Sequence, residues 1–202
     1  MESPALALPL RTMTAEEWAE LDEDTPGELV DGRLEEDEMP TILHEAVAMW
    51  IAHFLRTWAA PRGGVVFGAE LKLAVGPGRG RKADASMYRP GRRLPGKRLG
   101  ATRRPPSVVV EVLSPRPRDV RRDTVDKLAD YAAFGVEHYW IVDPLARTLE
   151  IRGLAQQRPA VILLAVAEGR HPVPGCDGLV LDLDALWAEM DLLPEDEEAD
   201  AP

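Results

Sequence analysis

The 202-residue chain contains one cysteine, Cys176, so no intrachain disulfide braces it. It has no apolar run near the roughly 18 residues a membrane-spanning helix needs. Met1-Glu2-Ser3-Pro4 lacks the basic start of a secretion signal. The expectation is a cytoplasmic protein with no membrane partner. Histidine is also scarce: His44 and His53 stand nine apart, and His138 and His171 have no cysteine or histidine at zinc-ligand spacing. Residues 76–80 lack the lysine-serine ending of a phosphate loop and read as a turn. Neither Ser114 nor Cys176 sits in a nucleophile elbow.

What the chain does have is a core and a lopsided charge. Hydrophobic residues make up 45% and charged residues 29%, which excludes a disordered polyampholyte. One domain is expected over 12–192, with an extension at 1–11 and a disordered acidic tail at 193–202. The net charge of −11 argues against a nucleic-acid partner until it is divided by position. Residues 79–127 hold 15 of the 24 Lys and Arg but only five acids, so this window is +10 and the remainder −21. Two readings stand: a basic face for phosphate, or arginines that merely solubilise a long loop.

Hydrophobic spacing gives a mixed α and β chain, with a central sheet flanked by helices. Thr14 and Glu17 form a capping-box pattern that opens a short helix running to about Leu21. Residues 28–35 read as a hairpin around Asp31-Gly32. From Pro40 to Ala60, apolar residues from Leu43 to Trp58 at steps of three and four predict an amphipathic helix. Strands are predicted at 65–75, 82–88, 107–113, 138–142, 148–152 and 160–166. Helices are predicted at 118–134, capped by Gly135, and at 182–190. The inward stripe of the 118–134 helix is expected to be Arg121 (stem only), Val125, Leu128 and Ala132.

Glu111 stands out inside Val108-Val109-Val110-Glu111-Val112-Leu113. A run this rich in β-branched residues is a strand buried on both faces, where an ionised carboxylate costs several kcal/mol unless a cation pairs with it. An arginine salt bridge, a solvent-facing position or a metal ion would each answer. If strands 82–88 and 107–113 are antiparallel with Tyr88 opposite Ser107, Asp84 falls opposite Glu111, and a magnesium ion would turn their repulsion into coordination. Lys127 on the following helix either reaches over a strand end toward such a site, or forms an i, i+4 pair with Asp123 on a solvated face. Residues 89–104 carry seven basic residues and no acid or aromatic. That suits a phosphodiester backbone, held without base readout.

These residues also carry a resemblance. Met13-Thr14-Ala15-Glu16-Glu17-Trp18, Glu28 to Leu34, His44, Asp84, Pro106, Val110 to Pro115, Asp123, Lys127, Tyr131, Gly135-Val136, Tyr139-Trp140 and Val142-Asp143-Pro144 together resemble the Uma-two family of restriction endonucleases. That family lies within the PD-(D/E)xK nuclease superfamily, and the likeness covers roughly residues 12 to 190. It implies a restriction-endonuclease-like core: a mixed four-stranded sheet with a helix on each face, here with an extra N-terminal hairpin and C-terminal strands.

The implied activity is metal-dependent endonucleolytic hydrolysis of phosphodiester bonds in DNA, with Mg2+ or Mn2+ as cofactor. The alternative is an inactive nuclease fold serving as a nucleic-acid-binding or assembly module. Asp84, Glu111, Lys127 and Glu28 are the implied catalytic residues, with Asp84, Glu111 and the Val112 carbonyl as metal ligands. His44 is implied to lie near the site. Arg92, Arg93, Lys97, Arg98, Arg103 and Arg104 are the candidate backbone contacts, and a homodimer would supply two sites for two strands. Two departures stand out: Ala83 replaces the proline before the aspartate, and Leu113 occupies the place of the compact-motif lysine.

Overall fold

The computed structural model describes residues 12–22, 25, 27–35, 40–115, 121–154 and 159–194. The expected extension at 1–11, residues 195–202 of the expected tail, and residues 118–120 of the expected helix lie outside these.

Among the described residues, four helices and twelve strands follow one another as α1 (Ala15–Ala19), β1 (Glu28–Val30), β2 (Arg33–Glu35), α2 (Ile42–Ala59), β3 (Val65–Gly68), β4 (Lys72–Gly76), β5 (Arg79–Lys82), β6 (Ala85–Tyr88), β7 (Val108–Val112), α3 (Lys127–Phe134), β8 (His138–Asp143), β9 (Thr148–Gly153), β10 (Ala160–Val166), β11 (Arg170–Pro172), β12 (Val180–Asp182) and α4 (Leu183–Met190). A single π turn, Arg122–Asp126, leads into α3. The Thr14–Glu17 capping box is formed as expected. The β1–β2 turn carries positive φ at both Asp31 (48°) and Gly32 (75°), as a tight two-residue hairpin turn requires.

Two long strands of the sequence reading are each divided. Residues 65–75 form β3 and β4, and residues 82–88 form the end of β5 and all of β6. The reason lies at Gly80, which pairs with Leu29 of β1. A Cβ there would come within 2.4 Å of the Trp18 ring, so only glycine lets the buried indole lie flat on β5. β5 thereby joins a four-stranded N-terminal sheet, order β2-β1-β5-β4, and the chain crosses at Ala83-Asp84 into a six-stranded sheet, order β10-β9-β8-β7-β6-β3. The β7–β8 pair is parallel and its neighbours antiparallel, so the central sheet is mixed. It is wider than the four strands the resemblance implies, because β9 and β10 extend it. The pair β11–β12 had no sequence signal.

The sheet is covered on both faces. Val108, Val110 and Val112 pack with Val47, Ile51 and Leu55 of α2 and with Leu183, Leu186 and Trp187 of α4. Val109, Tyr139 and Ile141 pack on the other side with Tyr131 and Ala132 of α3. Here the expected stripe fails. Of its four members only Ala132 is buried, while Val125 is 54% exposed. The inward face is Asp123, Lys127 and Asp130, each two positions on from a member of the expected stripe, together with Tyr131. The helix packs on the face of β7 that carries Glu111, and polar burial there outweighs an apolar stripe. Among the described residues, no helix is long and apolar enough to cross a membrane.

Candidate functional site

Glu111 is 2% exposed. Lys127 Nζ donates to its Oε2 at 2.9 Å, and the Tyr131 hydroxyl donates to its Oε1 at 2.7 Å. Both donors stand on α3, one turn apart. The ammonium is shared with Asp123 Oδ1 at 3.3 Å and Glu28 Oε1 at 3.6 Å. The i, i+4 pair of Asp123 and Lys127 is therefore real, but it is buried rather than solvated. Glu28 is fixed from the other sheet: Arg81 Nη1 donates to its Oε2 at 2.8 Å, and the Lys82 N–H to its Oε1 at 2.7 Å. Arg81, 1% exposed, also grips Asp130 of α3.

Asp84 enters from the crossing between the sheets. The observed pairs Ala85↔Val110, Ser86↔Val109 and Met87↔Val108 are those of the expected register, which one step further brings Asp84 level with Glu111. Asp84 precedes β6, and its Oδ2 accepts the Val112 N–H at 2.7 Å. Since N–H and C=O of one strand residue point the same way, the Val112 carbonyl also opens toward Asp84. His44, near the start of α2, places Nε2 3.4 Å from Asp84 Oδ2, and its Nδ1 is buried without a hydrogen-bond partner among the described residues.

Charge balance sets the electrostatics. Burial opposes the charge on Lys127, but Glu111, Glu28, Asp123 and Asp84 outweigh it and hold its pKa well above the ordinary lysine value. Burial likewise opposes ionisation of Glu28, yet Lys127 and Arg81 pull its carboxyl below the usual range. At Glu111 burial wins. With Asp84, Asp123 and Glu28 adding repulsion, its carboxyl lies well above the usual range despite Lys127. At His44 the hydrogen bond and charge of Asp84 overcome burial and raise the imidazole. The cluster is short of positive charge around Glu111 and Asp84.

The donors fit a hard divalent cation in type: two carboxylates and a main-chain carbonyl. Among the described residues, no group of three or more His, Cys, Asp and Glu side chains is arranged to hold a metal ion. Magnesium does not need such a cage, since one or two carboxylates with waters suffice. Asp84, Glu111 and the Val112 carbonyl are the groups that could hold it.

The arginine loop is not part of this cluster. It leaves β6 after Tyr88, the end away from Asp84, so its first residue lies about 16 Å along the strand from the carboxylates. Arg92 pairs with Glu137 at 3.2 Å, Arg103 pairs with Glu16, and Arg104 donates to the Leu94 carbonyl. The expectation of one basic face is likewise reduced from within: Arg79 and Arg81 are spent on Asp31, Asp130 and Glu28.

The structure brings Glu28, Asp84, Glu111 and Lys127 together, joined by Arg81 and Asp130, which sequence reading did not single out, and by Tyr131 and Asp123, which it quoted without a role. The signal was present as Asp123, Lys127, Asp130 and Tyr131 at helical spacing. It was overlooked because a buried face is expected to be apolar. Arg81 gave no signal, because its partners lie 53 and 49 residues away.

The fold agrees with what the chain is similar to. Among solved structures, a "putative nuclease belonging to DUF820" from Anabaena variabilis superposes with a TM-score of 0.70 over 88% of this chain and 99% of that one, at 22% identity. No curated protein matches the chain. The model of the Uma2 family, described as "Putative restriction endonuclease", matches residues 15–185. That span takes in Glu28, His44, Asp84, Glu111 and Lys127, and the chain belongs to the Uma2 family.

Proposed function

We propose that the protein is a metal-dependent endonuclease that hydrolyses phosphodiester bonds in DNA. The observation that carries this reading is the meeting of Lys127, Glu111 and Glu28 from a helix and two sheets, beside Asp84. Such a buried ammonium, held by carboxylates at the end of a sheet, is poorly explained by stability alone, since buried ion pairs add little over apolar packing.

Asp84, Glu111 and the Val112 carbonyl would hold Mg2+ or Mn2+. When bound, the cation supplies Lewis-acid polarisation of a phosphate oxygen and a more acidic water. The chain's own residues do the rest. Lys127 keeps a fixed positive charge where negative charge grows on the phosphate, and it needs no reorganisation because three carboxylates already hold it. Glu28 anchors the ammonium from the N-terminal sheet. His44 orients Asp84. The side chains of Arg93, Lys97 and Arg98 have no ion pair among the described residues and are proposed, with Arg92, Arg103 and Arg104, to contact the backbone remote from the scissile bond. Cutting both strands calls for two sites, and the outer edge of β10 is where a second copy would pair.

The test is cleavage of supercoiled plasmid with Mg2+ or Mn2+, repeated with Asp84→Ala and Lys127→Ala. Nicking by the wild-type chain and its loss in both variants is expected. Equal cleavage by all three would reject the reading, and salt-sensitive DNA binding without cleavage would favour the binding module instead.

A further inference from the structure

The chain has three tyrosines, all buried. A buried phenol needs a hydrogen-bond acceptor, and a main-chain carbonyl ordinarily serves. Tyr88 donates to the Arg104 carbonyl and Tyr139 to the Asp123 carbonyl, each at 2.7 Å. Tyr131 differs: it donates to a carboxylate, Glu111 Oε1, also at 2.7 Å. Its ring is tilted against that of Tyr139, with centroids 5.3 Å apart, so the hydroxyl is aimed by packing rather than free to choose.

A single donor leaves a carboxylate free to turn about its terminal bond. Glu111 has one donor on each oxygen, Lys127 on Oε2 and Tyr131 on Oε1, both from α3. Two such contacts fix the carboxylate plane, and each oxygen retains a further lone pair. We propose that Tyr131 is a positioning residue that holds the Glu111 carboxylate in the orientation in which it meets a divalent cation. This rests on the reading of Glu111 as a metal ligand. Partners that orient metal ligands commonly carry tenfold or more of the affinity.

Tyr131→Phe removes the hydroxyl and keeps the ring, a volume-conserving change that a thermal melt will verify. Mn2+ binding, followed by the electron paramagnetic resonance of the free ion, is expected to weaken about tenfold in this variant. Tyr139→Phe, which loses an equally buried hydroxyl, should bind Mn2+ as the wild type does. Equal affinity in Tyr131→Phe and wild type would overturn the proposal, as would an equal loss in Tyr139→Phe, which would mark a purely structural effect. A second measurement needs no variant at Tyr131. With tyrosine labelled with carbon-13 at Cζ, Mg2+ should shift one of the three resonances in the wild type and none in Asp84→Ala. No shift in the wild type would refute the coupling. A wild-type chain that binds Mn2+ through Asp84 yet leaves DNA intact would sink the nuclease reading and leave this one standing.

Discussion

Lys127 Nζ and Glu111 Oε2 lie 2.9 Å apart between a helix and a strand, with the two residues only 4% and 2% exposed. Water screens such a contact poorly, so the consequences of breaking it are large in stability as well as in chemistry.

Lys127→Met leaves Glu111, Glu28 and Asp123 without their shared cation. The expected loss is about 3–5 kcal/mol of folding stability, the usual cost of stranding a buried charge, read from urea denaturation midpoints. Where the variant is still folded, plasmid nicking should fall by about 100- to 1,000-fold, the scale of losing one preorganised electrostatic contact.

Arg81→Met should destabilise to a similar extent, about 3–5 kcal/mol, because Glu28 and Asp130 both lose a buried guanidinium. Neutralising the partners together, as Arg81→Met with Glu28→Gln and Asp130→Asn, should recover most of that loss in a thermal melt. A triple variant no more stable than Arg81→Met would show that the arginine contributes through packing rather than charge.

His138 gives a stability slope in pH. Burial, followed by the Arg89 charge, lowers its pKa below the ordinary 6.5. The unfolded chain therefore takes up this proton first. The contribution is complete above pH 6.5 and is lost as pH falls through the lower folded value, at no more than about 1.4 kcal/mol per pH unit. The difference between wild-type and His138→Gln denaturant midpoints, collected from pH 5 to 8, should show this decline, since His44 and Glu111, whose pKa values are raised, slope the wild-type curve the other way.

Strand β10 ends the central sheet with Val161, Leu164 and Val166 at 56, 61 and 56% exposure and no charged residue along it. Such an edge is a template for another strand, and lysine is the common device that blunts it. Leu164→Lys should shift sedimentation profiles toward the monomer while changing stability by less than about 0.5 kcal/mol. A wild-type chain that is monomeric at all concentrations would remove this edge as the dimer surface.

The sequence carried the hairpin, the capping box, α2, the β6–β7 register and the buried position of Glu111, because each is written in local chemistry: turn residues, apolar periodicity, one acid in a run of valines; Glu28 came only with the family resemblance, and Lys127 stood between two readings. What it did not carry depends on contacts made across the fold. The division of 82–88 between two sheets is decided by Trp18 lying on Gly80. The orientation of α3 is decided by Glu111 beneath it, which draws Lys127 and Tyr131 inward and turns Val125 out. The arginine loop was read by composition, which reports charge and not which end of a strand the loop leaves.

Beneath α1, strand β1 rests on a small core whose buried members among the described residues are Ala15, Trp18, Leu29 and Ala74, whereas β4 reaches with Leu73 into the second of the two larger cores that hold the central sheet. Free energies of local opening follow such differences, and the outer strands β1 and β2 should open well before the central sheet, with their amide exchange running ahead of that in β7 and β8. Each opening withdraws Glu28 from Lys127 and leaves the Asp84 to Val112 hydrogen bond in place. The fraction of molecules holding all four leading residues together is thus set by a sub-global equilibrium of these outer strands, and temperature or denaturant should dismantle the cluster before the fold.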